Sequence, residues 1–361
     1  MFARKSDSDR TNRFREGRLK VAKHESGARS AVLSSPRRYP LLLALLTATI
    51  TNALLIWLYW RTSVGADFEV FWHAVRSSTP YQYSPLPFGS PPTALLLFEP
   101  LKLLPYRAGF ITWDFVSFAL LLLLGARLYG RDAALLGAVS PAIVSGLGAG
   151  QVSLLMGAIV FAAFLSGPVA CGALLGVAAC LKPQMVFLAP LLFLFAREIR
   201  PLAAFCATVA ILAAVATFAC GLAIWTDWLS GMRNVLAVGS HRGALDLTIS
   251  PMSFHPWLGA LSVPLAISGL YQCRRLPPPQ RAAALVAASL FAAPYAMLYD
   301  LAPLALFAAV PILRSSSWKG FGAALTYSAA VGPFSVPFLW PSLSVPSDVD
   351  DPDTIGVNPS P

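Results

Sequence analysis

Charged residues are scarce in this sequence of 361 residues. Asp, Glu, Lys and Arg together make up 12% of the chain, which is about half of their share in soluble globular proteins. Hydrophobic residues make up 56%, and the mean hydropathy is +0.64. These values exclude a soluble globular enzyme, a disordered protein and a nucleic-acid-binding domain, so we predict no nucleic-acid partner.

Motifs of metal binding and soluble catalysis are also missing. The five cysteines form no C-x-x-C spacing, and the chain has only four histidines. No H-E-x-x-H, Walker or G-x-S-x-G motif occurs. We therefore predict neither a metal site nor a cofactor, and we interpret the cysteines as small core residues.

The basic residues are distributed unevenly. Residues 1–38 hold 11 of the 27 Lys and Arg residues, and the rest of the chain is nearly balanced in charge. We interpret 1–38 as a basic cytoplasmic tail that contacts anionic membrane lipids. At the other end, residues 341–361 are rich in Pro and Asp and are predicted to be disordered.

Between these tails, residues 39–340 read as a multi-span membrane domain. The first apolar segment, 39–60, is long enough to cross a bilayer, whereas 61–91 and 225–256 are too polar and are predicted as outer loops. Several other segments are short and are bounded by Pro or Gly, as is typical of broken or re-entrant helices. We predict an all-α polytopic bundle of about 10–12 transmembrane or re-entrant helices, with further apolar segments at 93–105, 109–126, 132–147, 150–166, 168–181, 183–196, 201–224, 257–272, 282–297, 300–313 and 320–340.

The charges between the segments give an orientation. With the N-terminal tail in the cytoplasm, alternation of the helices places the basic clusters on the cytoplasmic side, as the positive-inside rule requires. These clusters are Arg127 with Arg131, Arg197 with Arg200, Arg274 with Arg275 and Arg281, and Arg314 with Lys319. Four polar residues then fall on the outer side, namely Asp67, Gln151, Lys182 and Asp300.

Polar residues at membrane depth are costly and therefore suggest function. Asp67 lies in a stretch whose apolar residues recur at helical spacing, which predicts a short interfacial helix over about 64–75. Glu69 is two residues away and so does not share a helix face with Asp67. Asp67 is either a functional acid, or a solvated or N-capping residue of this helix.

The other three outer residues also allow two interpretations each. Lys182 follows thirteen uncharged residues and precedes Pro183, so it is either a phosphate ligand at a broken helix or a side chain that reaches the lipid headgroups. Gln151 follows a glycine-rich turn and either contacts a sugar hydroxyl or caps a helix. Asp300 either caps the next helix or lines a cavity, and a lone loop histidine such as His255 is more often structural.

Several of these motifs resemble the membrane-bound glycosyltransferase family 87. The similarity covers about residues 40–310 and lies in the order and spacing of the motifs. They are DFEVFWHA at 67–74, YQYSPLPFGSPP at 81–92, EPLKLLPYRA at 99–108 followed by Trp113, GQVSLL at 150–155, GALLG at 172–176 and LKPQ at 181–184.

The resemblance implies a GT-C type fold in a bacterial plasma membrane, with chemistry on the extracytoplasmic side. The donor would be a polyprenyl-phosphate sugar, and the acceptor a glycolipid or a polysaccharide. Asp67 would be the catalytic base, and Lys182 would bind the donor phosphate with help from Arg76 or Arg233. The remaining substrate-binding candidates are Gln151, Tyr83, His255, Tyr299 and Asp300.

The sequence departs from the family pattern near 295–300, where several members carry histidine and this chain has Tyr299 and Asp300. The sugar is inherited from the family as mannose, and a pentose is an alternative. A transporter or lipid flippase without glycosyl transfer, and a non-catalytic membrane scaffold, are the competing functions.

Overall fold

The computed structural model describes residues 38–61, 64–82, 88–239, 250–314 and 318–328. In these residues the chain forms helices and short 3₁₀ turns and contains no strand, which confirms the predicted all-α class. Nearly all of the predicted basic tail, the C-terminal tail and Tyr83 lie outside this part of the chain.

The α-helices are α1 (Arg38–Arg61), α2 (Ala66–Ala74), α3 (Pro92–Phe98), α4 (Tyr106–Tyr129), α5 (Arg131–Ala138), α6 (Pro141–Ala149), α7 (Ser153–Phe164), α8 (Pro168–Leu181), α9 (Ala189–Ala196), α10 (Ile199–Cys220), α11 (Ala223–Gly239), α12 (Pro251–Phe254), α13 (Pro256–Cys273), α14 (Pro278–Ala292), α15 (Ala302–Arg314) and α16 (Trp318–Ser328).

Three helices are long and apolar enough to cross a membrane: α1, α4 and α10. They turn large apolar side chains outward, including Leu42, Phe115 and Phe218, which is 95% exposed. The pair α5 and α6 is bent by 58° and could form a fourth span. Exposed apolar surface on this scale is stable only in lipid, so the chain is a polytopic membrane protein.

The other predicted segments form shorter helices. Proline begins α6, α8 and α13, because it lacks an N–H and is tolerated only in the first turn of a helix. The predicted segment 93–105 forms α3 and a 3₁₀ turn, Glu99–Leu103, and the predicted loop 225–256 begins inside α11.

The centre of the bundle consists of α7, α14 and α15, whose side chains are buried on nearly all sides. Helices that are apolar all round belong in such interiors. Glycines allow the surrounding helices to approach closely. A Cβ atom on Gly172 of α8 would lie 2.0 Å from the carbonyl oxygen of Pro201 in α10, which gives the glycines of the 172–176 motif a packing role.

The two ends of the bundle differ in chemistry. Asp67, Gln151, Lys182 and Asp300 all lie at helix ends on one side: near the start of α2, between α6 and α7, after α8, and before α15. At the other ends of these helices, Arg281 forms a two-pronged salt bridge with Glu198, with N–O distances of 2.9 and 2.7 Å. Tyr129, beside Arg127 and Arg131, donates to the Pro279 carbonyl at 3.1 Å, so the turns that carry Arg131, Arg197 and Arg281 lie at the end of the bundle away from the four polar residues.

Candidate active site

Helix α2 positions Asp67. Gly65 is its N-cap, with φ of 79°, and Asp67 lies within the first turn. The interpretation of Asp67 as the N-cap is therefore wrong, because a residue without a side chain fills that position. A carboxylate in the first turn is favoured by the helix dipole, and the predicted short helix is confirmed.

Aromatic packing fixes α2 against α4. The Phe68 side chain is fully buried, and its ring lies 5.6 Å from the rings of both Tyr106 and Phe110. Phe71 stacks on Phe98 at 4.9 Å. Such ring pairs add to the burial of apolar area, so the apolar stripe read from the sequence is the face that holds the helix in place.

The glycine-rich turn between α6 and α7 positions Gln151. Gly150 has φ of 70°, and the Gln151 N–H donates to the Gly146 carbonyl at 2.9 Å, as in a Schellman motif. A Cβ atom on Gly150 would lie 2.6 Å from Cβ of Phe68. The Gly65 N–H donates to the Gly148 carbonyl at 2.8 Å. The turn and α2 are thus in direct backbone contact, which brings Gln151 beside Asp67.

The side chain of Gln151 links Asp67 to Lys182. Its Nε2 donates to Asp67 Oδ2 at 2.7 Å. Its Oε1 accepts from the Val152 N–H at 3.1 Å and from Lys182 Nζ at 3.4 Å. The interpretation of Gln151 as a helix cap is not what the structure shows, since the amide bridges two charged side chains.

Lys182 forms a buried ion pair with Asp300. Its Nζ lies 2.5 Å from Asp300 Oδ1 and 2.9 Å from Ser153 Oγ. Lys182 is 6% exposed and Asp300 is 0% exposed. The alternative in which Lys182 reaches the lipid headgroups is wrong, because its ammonium points inward to a carboxylate.

Asp300 is held on both of its oxygens. Oδ1 also accepts from Ser153 Oγ at 2.5 Å, and Oδ2 accepts from the Met297 N–H at 3.0 Å. Asp300 therefore both caps the 3₁₀ turn Leu298–Leu301 and acts as the counter-ion of Lys182. These contacts satisfy a carboxylate that would otherwise be too costly to bury.

Tyr299 completes this group. Its ring lies 4.6 Å from Lys182 Nζ, in cation–π geometry. Burial raises the pKa of Tyr299 well above its usual value, and the negative charges of Asp67 and Asp300 raise it further. Tyr299 therefore contributes its ring face to Lys182 and lies within the electrostatic reach of the two acids. We call Asp67, Gln151, Lys182, Tyr299 and Asp300 the outer cluster.

Three other candidates do not join the outer cluster. Arg76 donates to the carbonyls of Leu101, Lys102 and Leu104 at 2.9–3.0 Å, so it anchors the end of α2 to the 3₁₀ turn Glu99–Leu103. Arg233 is exposed on α11. His255 is exposed and N-caps α13, since its Nδ1 accepts the Trp257 N–H at 3.4 Å.

Comparison with known proteins gives one match. The family model of glycosyltransferase family 87 matches residues 88–313, which is more than half of the chain. The chain belongs to glycosyltransferase family 87. No curated protein and no solved structure matches it at the same level of significance.

Membership in family 87 confirms the resemblance seen in the motifs and makes the chain a membrane glycosyltransferase. The matched range contains Gln151, Lys182, Tyr299 and Asp300, but it begins after Asp67. The connection of Asp67 to the family residues therefore rests on its 2.7 Å hydrogen bond to Gln151.

Ser153 belongs to this site and is not among the residues predicted from the sequence. Its hydroxyl is fully buried between Lys182 and Asp300 and bonds both. A signal is present in the sequence, because Ser153 lies in the motif at 150–155 that carries part of the family resemblance. Among the described residues, no three His, Cys, Asp or Glu side chains converge on a possible metal position.

Proposed function

We propose that this family 87 protein is an inverting glycosyltransferase that moves mannose from a polyprenyl-phosphate donor to a hydroxyl group of a glycolipid or polysaccharide. The observation that carries the proposal is the outer cluster: a carboxylate on a short helix, linked through one amide to a buried ammonium, in a chain of this family. We further propose a GT-C type fold for the bundle.

The proposed reaction is a single displacement. The acceptor oxygen forms a bond to the anomeric carbon while the bond from that carbon to the phosphate oxygen breaks, and the bonding electrons leave with the polyprenyl phosphate. The acceptor hydroxyl loses its proton to Asp67. A hydroxyl is a weak nucleophile at neutral pH, so a positioned carboxylate accelerates the attack, and attack from the side opposite the phosphate inverts the anomeric centre.

Lys182 is the proposed cation for the leaving phosphate, because charge that develops in a water-poor site is stabilised best by groups already in place. Its three N–H donors contact Asp300, Ser153 and Gln151. The contact to Gln151, at 3.4 Å, is the longest, so it is the one that a phosphate oxygen would replace. Arg76 and Arg233 lie elsewhere, and Lys182 carries this role without them.

The site would face the outside of a bacterial plasma membrane, with the N-terminus in the cytoplasm. Support comes from the positions of the arginines, since the basic turns lie at the end of the bundle opposite the outer cluster. Under the positive-inside rule, that end is cytoplasmic. A lipid-linked donor fits this placement because it is held by the membrane itself.

Asp67→Asn tests the proposal. Purified protein in nanodiscs would be given labelled polyprenyl-phosphate mannose and an extract of acceptor glycolipids. We expect transfer to fall by about 10²–10⁴-fold, the usual contribution of a general base.

Glu69→Gln is the matched control, since Glu69 is on the same helix, 45% exposed, and 3.8 Å from His73. It should keep activity close to that of the wild type. Full activity of Asp67→Asn would reject Asp67 as the base, and movement of labelled lipid across the bilayer without bond formation would favour a flippase.

A further inference from the structure

The amide of Gln151 has only one possible orientation. The oxygen and nitrogen of a carboxamide differ in that the oxygen accepts hydrogen bonds and the nitrogen donates them. Two donors, the Val152 N–H and Lys182 Nζ, meet at Oε1. The NH₂ group therefore has to face Asp67, and it cannot turn away without losing the Val152 contact, which a phosphate bound at Lys182 would leave in place.

We propose that Gln151 is a positioning residue that fixes the carboxylate of Asp67 for proton transfer. This inference rests on the proposed function, and it gives Gln151 a different role from the sugar contact predicted from the sequence. The amide holds Oδ2 of Asp67 at 2.7 Å. With one oxygen held, the plane of the carboxylate is set relative to the turn between α6 and α7.

The need for such a residue follows from the geometry of proton transfer. A base has to come within about 2.6–3.2 Å of the hydroxyl oxygen, and a misplacement of about 1 Å can cost about a hundredfold in rate. Asp67 lies in the first turn of a nine-residue helix. The hydrogen bond from Gln151 adds a contact to a separate, rigid part of the fold, where Gly150 admits no side chain.

Gln151 also keeps two carboxylates in different roles. Lys182 forms its ion pair with Asp300, while Asp67 receives a neutral amide donor. A direct ion pair would favour the ionised form of Asp67 and weaken it as a base. With the amide between them, Asp300 is the counter-ion and Asp67 remains available as the base.

Gln151→Glu tests the inference, because it has almost the same shape and replaces the donor by a carboxylate. At low pH the two carboxylates would share a proton, and at high pH they would repel each other. We expect kcat to fall by about 10–100-fold, as for a lost hydrogen bond to a charged group. We also expect the acidic limb of the pH profile to move up by about one pH unit or more, with KM for the donor changed less than about threefold.

The other titratable side chains near Asp67 have to stay unchanged in this test. Among the described residues, the titratable groups around Asp67 come from α1, from the end of α8 and from the stretch before α15. They are Tyr59, Lys182, Tyr295, Tyr299 and Asp300. None of them is changed in Gln151→Glu, so a shifted limb reports on Asp67 and the new carboxylate.

A second variant and a control separate the outcomes. Gln151→Asn keeps the amide but is one methylene shorter, so kcat should fall while the acidic limb stays in place. Gln272→Glu makes the same chemical change at an exposed position of α13 and should change neither quantity.

Several results would overturn the inference. A raised KM with an unmoved pH profile would assign Gln151 to sugar binding, and unchanged kinetics in both variants would remove any role in the reaction. Failure of both variants to accumulate as folded protein would assign it to structure. If the wild-type protein itself transfers no sugar, the proposed function fails, which is a different result from wild-type transfer that Gln151→Glu does not alter.

Discussion

Lys182 and Asp300 form a buried ion pair in the candidate site. Both residues are almost fully buried, and each is bonded by Ser153 as well as by the other. Pairing of this kind compensates the cost of removing charges from water only when the remaining hydrogen bonds are also made. We therefore expect the Lys182–Asp300 pair to stabilise the folded protein in addition to its role in the proposed reaction.

Lys182→Met tests that dependence at the residue scale. It leaves Asp300 buried without a cation, so we expect the free energy of unfolding to fall by about 3–5 kcal/mol, measured by denaturation in detergent. Lys102→Met is the matched control, because Lys102 forms an ion pair with Glu99 in which both side chains are about half exposed. Exposed pairs contribute about 0–1 kcal/mol, and an equal loss in the two variants would contradict the expectation.

At the residue scale, the sequence indicates the important polar residues but not their interaction partners. Lys182, Gln151, Asp300 and Asp67 stand out in the sequence because they are polar residues beside apolar segments. Their partners are not predicted, since residues separated by 29 to 147 positions share no local sequence pattern. Arg76 is also a charged residue near an apolar segment, yet it donates to three backbone carbonyls. Charge and sequence position alone therefore do not distinguish a substrate ligand from a residue that anchors the backbone.

At the scale of elements, the contact between α2 and the turn after α6 determines the position of Asp67. Gly65 and Gly150 both have positive φ, and a Cβ atom would lie 3.0 Å from the Tyr106 hydroxyl at Gly65 and 2.6 Å from Cβ of Phe68 at Gly150. This contact is made through backbone and aromatic atoms, so α2 is fixed independently of the charged residues. The position of α2 therefore does not depend on the hydrogen bonds of the outer cluster.

Gly150→Ala tests this contact. The new Cβ would lie 2.6 Å from Cβ of Phe68 and 2.9 Å from Cε2 of Phe110, and a left-handed backbone costs a non-glycine residue about 1–2 kcal/mol. We expect a loss of about 2–5 kcal/mol in stability, given a further contribution of about 1–3 kcal/mol for overpacking. Transfer by the folded fraction should fall by about a hundredfold, because α2 shifts.

Gly167→Ala serves as the control for that variant. Gly167 is the N-cap of α8, with an ordinary φ of −67° and nothing within 4 Å of a new Cβ, so stability should fall by no more than about 1 kcal/mol, the usual cost of alanine at an N-cap, and transfer should stay near the wild-type value. If Gly150→Ala were equally harmless, the packing of α2 on the turn would not govern the site.

At the scale of the whole molecule, the helices separate the end that holds the outer cluster from a basic end. Each of α4, α8 and α14 has one end near the outer cluster and the other end near the Glu198–Arg281 pair or the Tyr129–Pro279 hydrogen bond. Long apolar helices surround a buried centre, and we propose that the two ends lie on opposite sides of the membrane.

Cysteine labelling tests the proposed orientation. In a variant without the five native cysteines, Thr226→Cys on α11 and Gln272→Cys near the end of α13 place thiols at exposed positions near opposite ends. A membrane-impermeant maleimide should label Thr226→Cys in intact cells and Gln272→Cys only after permeabilisation. The reverse pattern would place the outer cluster on the cytoplasmic side.

The sequence by itself determined the class of the protein, the limits of most helices and the side of the bundle on which the polar residues gather. These properties depend on apolar length, on Pro and Gly positions and on charge order, all of which act locally along the chain. Membership in family 87 was also visible there, because its motifs are short and ordered.

Only the tertiary structure decided which polar residues act together. It shows that Asp67 is hydrogen-bonded to Gln151 and that Lys182 is paired with Asp300 and bonded to Ser153. It also shows that Arg76 and His255 make their contacts elsewhere. The physical reason is that a hydrogen bond requires atoms within about 3 Å. That distance between segments far apart in sequence is set by how helices pack, which here depends on glycines that admit no side chain.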